Sequence, residues 1–291
     1  MSDPDAIPLI RRLRYKAELS GFRFAAWLIP QLSRSAVVRL SRMGGALALM
    51  FARRDRRIAM ANLELAFGAS LTDAGRKKIL RQVFNTFALT GLDYFWFARD
   101  RKQRLEKWVV IHGDNWPWMK DGPKVAVTGH FGNWEVMGWM TAQHGTVVGS
   151  VAKPVKNPLI DAEVNRIRTQ SGQQIFPRAG ALKSLVRVLK GGGTVALLLD
   201  QDTLPVEGGV FVPFFGVPVP ISTAAAGLAL KLKVPMHRSW QQVPARDTRV
   251  PARHTGLAYD NPTRAEAKTE LVDLVPYGCT ILRLTCFTVC K

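Results

Sequence analysis

The stretch Lys124-Val125-Ala126-Val127-Thr128-Gly129-His130-Phe131-Gly132-Asn133-Trp134-Glu135 joins a short apolar run to a histidine, two glycines and the start of an apolar helical pattern. Lys124 to Thr128 reads as a buried strand and Trp134 to Gln143 as a helix, with Gly129 and Gly132 freeing the backbone to turn between them. His130 then stands at the C-terminal end of a strand, the edge at which open α/β sheets bind ligands. Five residues along a helix turn about 140°, so His130 and Glu135 are not neighbours on one helical face. The expectation is a loop histidine with Glu135 reaching back to it from the first helical turn. In that arrangement a carboxylate orients an imidazole that takes a proton from a hydroxyl. Spacing alone leaves open a plain hydrogen-bonded loop histidine beside a solvated glutamate.

Outward from this point the pattern alternates. Strand 125 to 129, helix 133 to 143, strand 146 to 151, helix 158 to 171, strand 173 to 176, helix 180 to 190 and strand 194 to 199 follow one another. This predicts an α/β fold with a mostly parallel central sheet flanked by helices. The run Thr194-Val195-Ala196-Leu197-Leu198-Leu199 is apolar throughout, as for a strand buried on both faces. It ends at Asp200-Gln201-Asp202, so polar groups again meet a strand's C-terminal end, where Asp200 is either a site residue or a turn residue. The stretch from Glu207 to Pro218 reads as a loop rich in Gly, Pro and Phe, followed by a helix capped by Ser222 or Thr223. Its aromatics either line an alkyl channel or pack over the core. Upstream, Arg56 to Phe67 reads as a helix, and Thr72 to Phe97 as one long or two short helices with Thr72 or Asp73 as cap.

The chain has 291 residues, with 41 Lys and Arg against 22 Asp and Glu, a formal net charge of +19. A balance this basic calls for an anionic partner. Residues 1 to 60 hold 12 basic and 4 acidic side chains, the densest excess in the chain. There the charges interleave with apolar runs such as Phe22 to Pro30 and Gly44 to Arg54, interrupted by Arg34, Arg39 and Arg42. Neither run reaches the roughly 20 apolar residues of a spanning helix. The segment 1–55 is therefore expected to lie in a membrane interface, apolar face down and Arg at the headgroups. An ordinary helix packed on the core is the alternative. Asp3 and Asp5 precede the basic cluster and no small-residue cleavage site follows the apolar run, which argues against a secretory signal. No nucleic-acid-binding signature accompanies the charge, so a nucleic-acid partner is not expected. No metal is expected either, because the five histidines and three cysteines form no zinc-ligand spacing.

The blocks Gly129 to Glu135, Lys153-Pro154 with Asn157-Pro158, Phe176-Pro177-Arg178-Ala179-Gly180, Leu199-Asp200-Gln201-Asp202 and Pro213 to Pro218 occur in this order. In that order and spacing the sequence resembles the bacterial lipid A biosynthesis acyltransferases, the late lauroyl and myristoyl transferases, over roughly residues 10 to 236. The resemblance implies a glycerolipid-acyltransferase-like fold at residues 56–236. It implies transfer of a fatty acyl chain from acyl carrier protein to a hydroxyl of an anionic lipid A precursor. The location implied is the cytoplasmic face of a Gram-negative inner membrane. His130 carries over as general base and Glu135 as its orienting partner. Arg178 is assigned to a phosphate or a developing oxyanion, Asp200 to fixing Arg178, and Asn133 and Gln201 to substrate binding. Such chemistry requires no metal, nucleotide or other cofactor, and the absence of a G-x-S-x-G elbow disfavours a serine hydrolase. A lipid esterase and a decayed, non-catalytic membrane-binding protein are the alternative readings.

Residues 237–291 depart from the family pattern. Arg238, Pro244, Arg246, Arg249, Pro251, Arg253 and Pro262 give no regular periodicity, and all the cysteines (Cys279, Cys286, Cys290) follow. A change of reading frame near residue 236 accounts for both features, and the tail is expected to lack packing against the sheet.

Overall fold

In the computed structural model, which describes residues 8–112, 122–238, 240–241 and 250–253, five helices precede the first strand: α1 (Leu9–Leu28), α2 (Arg34–Phe51), α3 (Arg53–Phe67), α4 (Asp73–Trp96) and α5 (Arg101–Trp108). Thr72 caps α4 by accepting from the Gly75 N–H, so Thr72 to Phe97 resolves as one long helix. Helix α2 lies against α4 at a spacing that only glycine permits: a Cβ on Gly45 would sit 2.8 Å from the Asn85 Cα.

Strand β1 (Val109–His112) is followed by β2 (Lys124–Thr128), α6 (Trp134–Gln143), β3 (Val148–Ala152), α7 (Pro158–Thr169), β4 (Gln174–Pro177), α8 (Ala181–Lys190) and β5 (Thr194–Leu198). Next come β6 (Gly209–Phe214), β7 (Val217–Ser222), α9 (Ala224–Leu232) and β8 (Met236–Arg238). The central sheet has five strands in the order β4-β3-β5-β2-β8, every neighbouring pair parallel. The path reverses direction at β4, so right-handed crossovers put α6 and α7 on one face and α8 and α9 on the other. The two cores agree. Val125, Val127, Val195 and Leu197 pack with Leu185, Leu189 and Leu228. Val136, Trp139 and Met140 pack instead with Ile29, Val37, Trp96 and Phe97 of the helical N-terminal region.

That second core takes in part of residues 1–55, so the segment expected at a membrane interface also packs on the core. Ile29 and Val37 are buried with α6, and Tyr15 donates to the Lys156 carbonyl (3.1 Å) while Asn157 donates to the Tyr15 carbonyl (3.0 Å). The opposite sides of the same helices stay open: Leu9, Ile10, Leu13, Phe24 and Trp27 on α1 and Met43, Leu47, Met50 and Phe51 on α2 are each more than half exposed. Among the described residues no single helix is long and apolar enough to cross a membrane. One bent pair, Arg34–Phe51 with Arg53–Ser70 at 91°, meets the length and composition together.

Two further expectations are corrected. The Gly, Pro and Phe stretch at 207–218 is not a loop but most of an antiparallel hairpin, β6 with β7. Phe215 (φ 50°) and Gly216 (φ 76°) form its turn with two left-handed residues, the geometry that suits strand twist. The prolines fit because a two-stranded ribbon has open edges. The central sheet also does not stop at 236, since His237 and Arg238 pair with Ala126 and Val127 of β2, and His237 is buried. Two short strands, β9 (Trp240–Gln241) and β10 (Val250–Arg253), form a small sheet with β1. The rest of the tail, with its three cysteines, lies outside the described residues.

Candidate active site

Strands β2 and β5 are adjacent, parallel and in register, with Thr128 opposite Leu198. The ladder continues as the Leu199 N–H donates to the Thr128 carbonyl (3.0 Å). Two residues past each strand end therefore stand opposite one another, and these are His130 and Asp200. The His130 Nδ1 lies 2.9 Å from Asp200 Oδ1, and the His130 backbone N–H donates to Asp200 Oδ2 at 2.8 Å. The Asp200 side chain is fully buried while that of His130 is 21% exposed. A buried carboxylate thus holds both the ring and the backbone of a histidine that opens on solvent.

Glu135 is not that partner. Its two carboxylate oxygens accept from Arg168 of α7, Oε2 from Nε at 3.1 Å and Oε1 from Nη2. Burial works against the charge on the Arg168 guanidinium, but the adjoining Glu135 carboxylate outweighs it and raises its pKa. Glu135 sits in the first turn of α6, and its pair with Arg168 ties that turn to α7. The turn begins with Trp134, whose ring meets the His130 ring edge-on at 4.7 Å. Glu135→Gln and Arg168→Gln are each expected to cost about 1–3 kcal/mol of stability, the penalty for orphaning a buried partner. The double substitution is expected to cost less than the sum, and chemical denaturation of the four proteins measures this coupling.

The remaining expected site residues separate. Asn133 is buried: its Oδ1 accepts from the Val136 N–H (3.1 Å) to cap α6, and its Nδ2 donates to Asp93 Oδ2 (2.9 Å). Arg178 follows β4 at the same sheet edge, exposed and paired with Glu207 (3.0 Å), so Asp200 does not fix it. Gln201 is exposed beside Asp200. Asn157 of the second block caps α7 through the Leu159 N–H (3.0 Å) and anchors α1.

The sequence reading overlooked Thr90, Asp93 and Arg34. Asp93 is buried in α4, where burial pushes its carboxyl up against the opposing pull of Arg34 and of the bonds from Arg34 and Asn133. The available signal was one acid in the otherwise apolar run Leu92-Asp93-Tyr94-Phe95-Trp96-Phe97. Among the described residues no group of three or more His, Cys, Asp or Glu side chains is arranged to hold a metal ion.

A sequence model of the family described as bacterial lipid A biosynthesis acyltransferase matches residues 9–240. The chain belongs to that family. The match takes in every block that frames His130 and Asp200 and runs through β8. Among characterised relatives, the lipid A biosynthesis lauroyltransferase of Escherichia coli (strain K12) is 29% identical over 213 residues, 71% of this chain and 67% of that protein. The lipid A biosynthesis acyltransferase of Haemophilus influenzae is 28% identical over 190 residues, 63% of this chain. That second match spans 58% of the relative's length, less than two thirds.

Proposed function

We propose that this acyltransferase moves a fatty acyl chain from acyl carrier protein to a hydroxyl of a lipid A precursor or related glycolipid, with His130 as general base. The observation that carries the reading is the pairing of a partly exposed imidazole with the buried Asp200 carboxylate at the ligand-binding edge of the sheet. An ionised carboxylate only accepts hydrogen bonds, so the ring hydrogen resides on Nδ1 and Nε2 is the free base. Nε2 takes the acceptor hydroxyl's proton as its oxygen attacks the thioester carbonyl. Collapse of the tetrahedral intermediate breaks the C–S bond, and the imidazolium returns the proton to the departing thiolate, leaving an ester and the carrier thiol.

Arg178 lies beyond β4, three strand spacings from β2, roughly 14 Å at the usual separation of paired strands. That distance suits a phosphate of a large glycolipid better than an oxyanion beside His130. The net charge of +19 supports both an anionic acceptor and an acidic carrier. In the direct test, purified protein is given an acyl carrier protein thioester and a lipid A precursor. Acylated lipid is the expected product. Free fatty acid without acylated lipid means a lipid esterase, and neither product means a non-catalytic membrane-binding protein.

The site is proposed to work at the cytoplasmic face of the inner membrane, with α1 and α2 in the interface. The support is their row of exposed apolar side chains interleaved with arginine. Because Ile29 and Val37 belong to the core, deleting residues 1–55 would unfold the protein, and point changes are the proper test. Phe24→Glu with Leu47→Glu, both at exposed positions, is expected to release the protein from anionic vesicles with its thermal stability unchanged. Salt alone is expected to release only part, since apolar burial survives screening. Undiminished co-sedimentation of the double variant would move the interface elsewhere.

A further inference from the structure

Helix α4 turns one stripe toward the loop that carries His130. Phe87, Thr90 and Asp93 recur every three residues and so share a face, and they touch three consecutive residues past the histidine. The Thr90 hydroxyl donates to the Gly132 carbonyl (3.0 Å), Asp93 Oδ2 accepts from Asn133 Nδ2 (2.9 Å), and the Phe87 ring meets that of Trp134 at 6.0 Å. Behind Asp93 stands Arg34 of α2, which donates from both terminal nitrogens, Nη2 to Oδ2 at 3.2 Å, and lies over the Trp96 ring at 5.1 Å. Arg34, Thr90, Asp93 and Asn133 are all buried.

Polar groups in such a position cost stability compared with apolar side chains of the same volume. What they provide here is direction. Gly132 is left-handed (φ 65°) and has no Cβ to restrict its backbone, and the Thr90 hydroxyl bonds its carbonyl in one direction. Asn133 is held at both ends, by Asp93 and by the Val136 N–H, which sets where α6 begins. Trp134 then rests against the imidazole.

We propose that Thr90 and Asp93, backed by Arg34, are positioning residues that hold the 132–134 backbone so that His130 meets Asp200 and the reacting hydroxyl. The proposal rests on the reading of His130 as base. A misplacement of about 1 Å at a reacting group costs about 10²-fold in rate, so the effect falls on kcat.

The test compares Thr90→Val, Thr90→Ser, Asp93→Asn and His130→Ala with Val83→Ala, a buried change on α4 two turns before Thr90. Thr90→Val is expected to lower kcat roughly ten- to a hundredfold with KM for the acyl donor unchanged, and Thr90→Ser to restore it. Val83→Ala is expected to lose thermal stability but keep kcat. The imidazole ¹⁵N signals of His130, assigned by their absence in His130→Ala, are expected to move in Thr90→Val and Asp93→Asn and to return in Thr90→Ser. If Asp93→Asn does not fold, the Thr90 pair decides alone. Unmoved His130 signals together with a Thr90→Val kcat equal to that of Val83→Ala overturn the proposal. Normal transfer by His130→Ala overturns the base reading instead, and the NMR arm still reports whether α4 positions the ring.

Discussion

His130→Ala is expected to lower acyl transfer by about 10²- to 10⁴-fold, the usual contribution of a general base, while the protein remains folded. The folding half of this expectation comes from its setting. The His130 side chain is partly exposed at a strand end and contributes no packing to either sheet core. What it loses is an edge contact with Trp134 and one hydrogen bond to the buried Asp200, whose Oδ1 is left without that partner, a cost of about 1–3 kcal/mol. Rate and melting temperature, measured on the same preparation, separate the two. Turnover near that of the unaltered protein would end the base assignment, and a collapsed melting temperature would make the rate uninformative.

Asp200→Asn is expected to cost nearly as much, about 10²-fold or more, by analogy of role with the carboxylate of catalytic triads. The reason is the identity of the donor. Asp200 accepts twice, from the His130 ring and from its backbone N–H. An asparagine has one accepting oxygen for these two donors, and the backbone N–H retains it. Its amide nitrogen then faces Nδ1, which favours the tautomer with hydrogen on Nε2, and that nitrogen can no longer take a proton. The single-turnover rate of Asp200→Asn is the measurement. A value within a few fold of the unaltered protein would return the orienting role to another group, with Glu135 the first to re-examine.

The alternating α/β frame was legible because hydrophobic periodicity is local. Val195 to Leu198 is apolar throughout, and the structure gives β5 two neighbours, β2 and β3. The cap Thr72 acts within three residues of itself, and it stands where α4 begins. The hairpin at 209–222 was missed because its prolines argue against strands. That objection holds for central strands and not for a ribbon with free edges.

The candidate site was half legible. His130 could be singled out by its neighbours in sequence, and Asp200 by ending an apolar strand. Their contact could not, because nearness along the chain pointed to Glu135. Seventy residues separate His130 from Asp200, and only the register of β2 against β5 brings them together. Glu135 was drawn instead to Arg168, a cation supplied by a helix on the same face of the sheet.

By itself the sequence determined the order of strands and helices from β2 to β5, the basic interleaved N-terminal region, and the histidine at a strand end. These follow from patterns read over a few residues, where backbone geometry and side-chain type suffice. Only the tertiary structure decided which carboxylate serves His130, that Asn133 braces a helix start, and that α2 and α4 carry the buried Arg34–Asp93 pair behind the loop. Those are matters of strand order, register and helix packing, set by the whole core at once, and no window of sequence contains them.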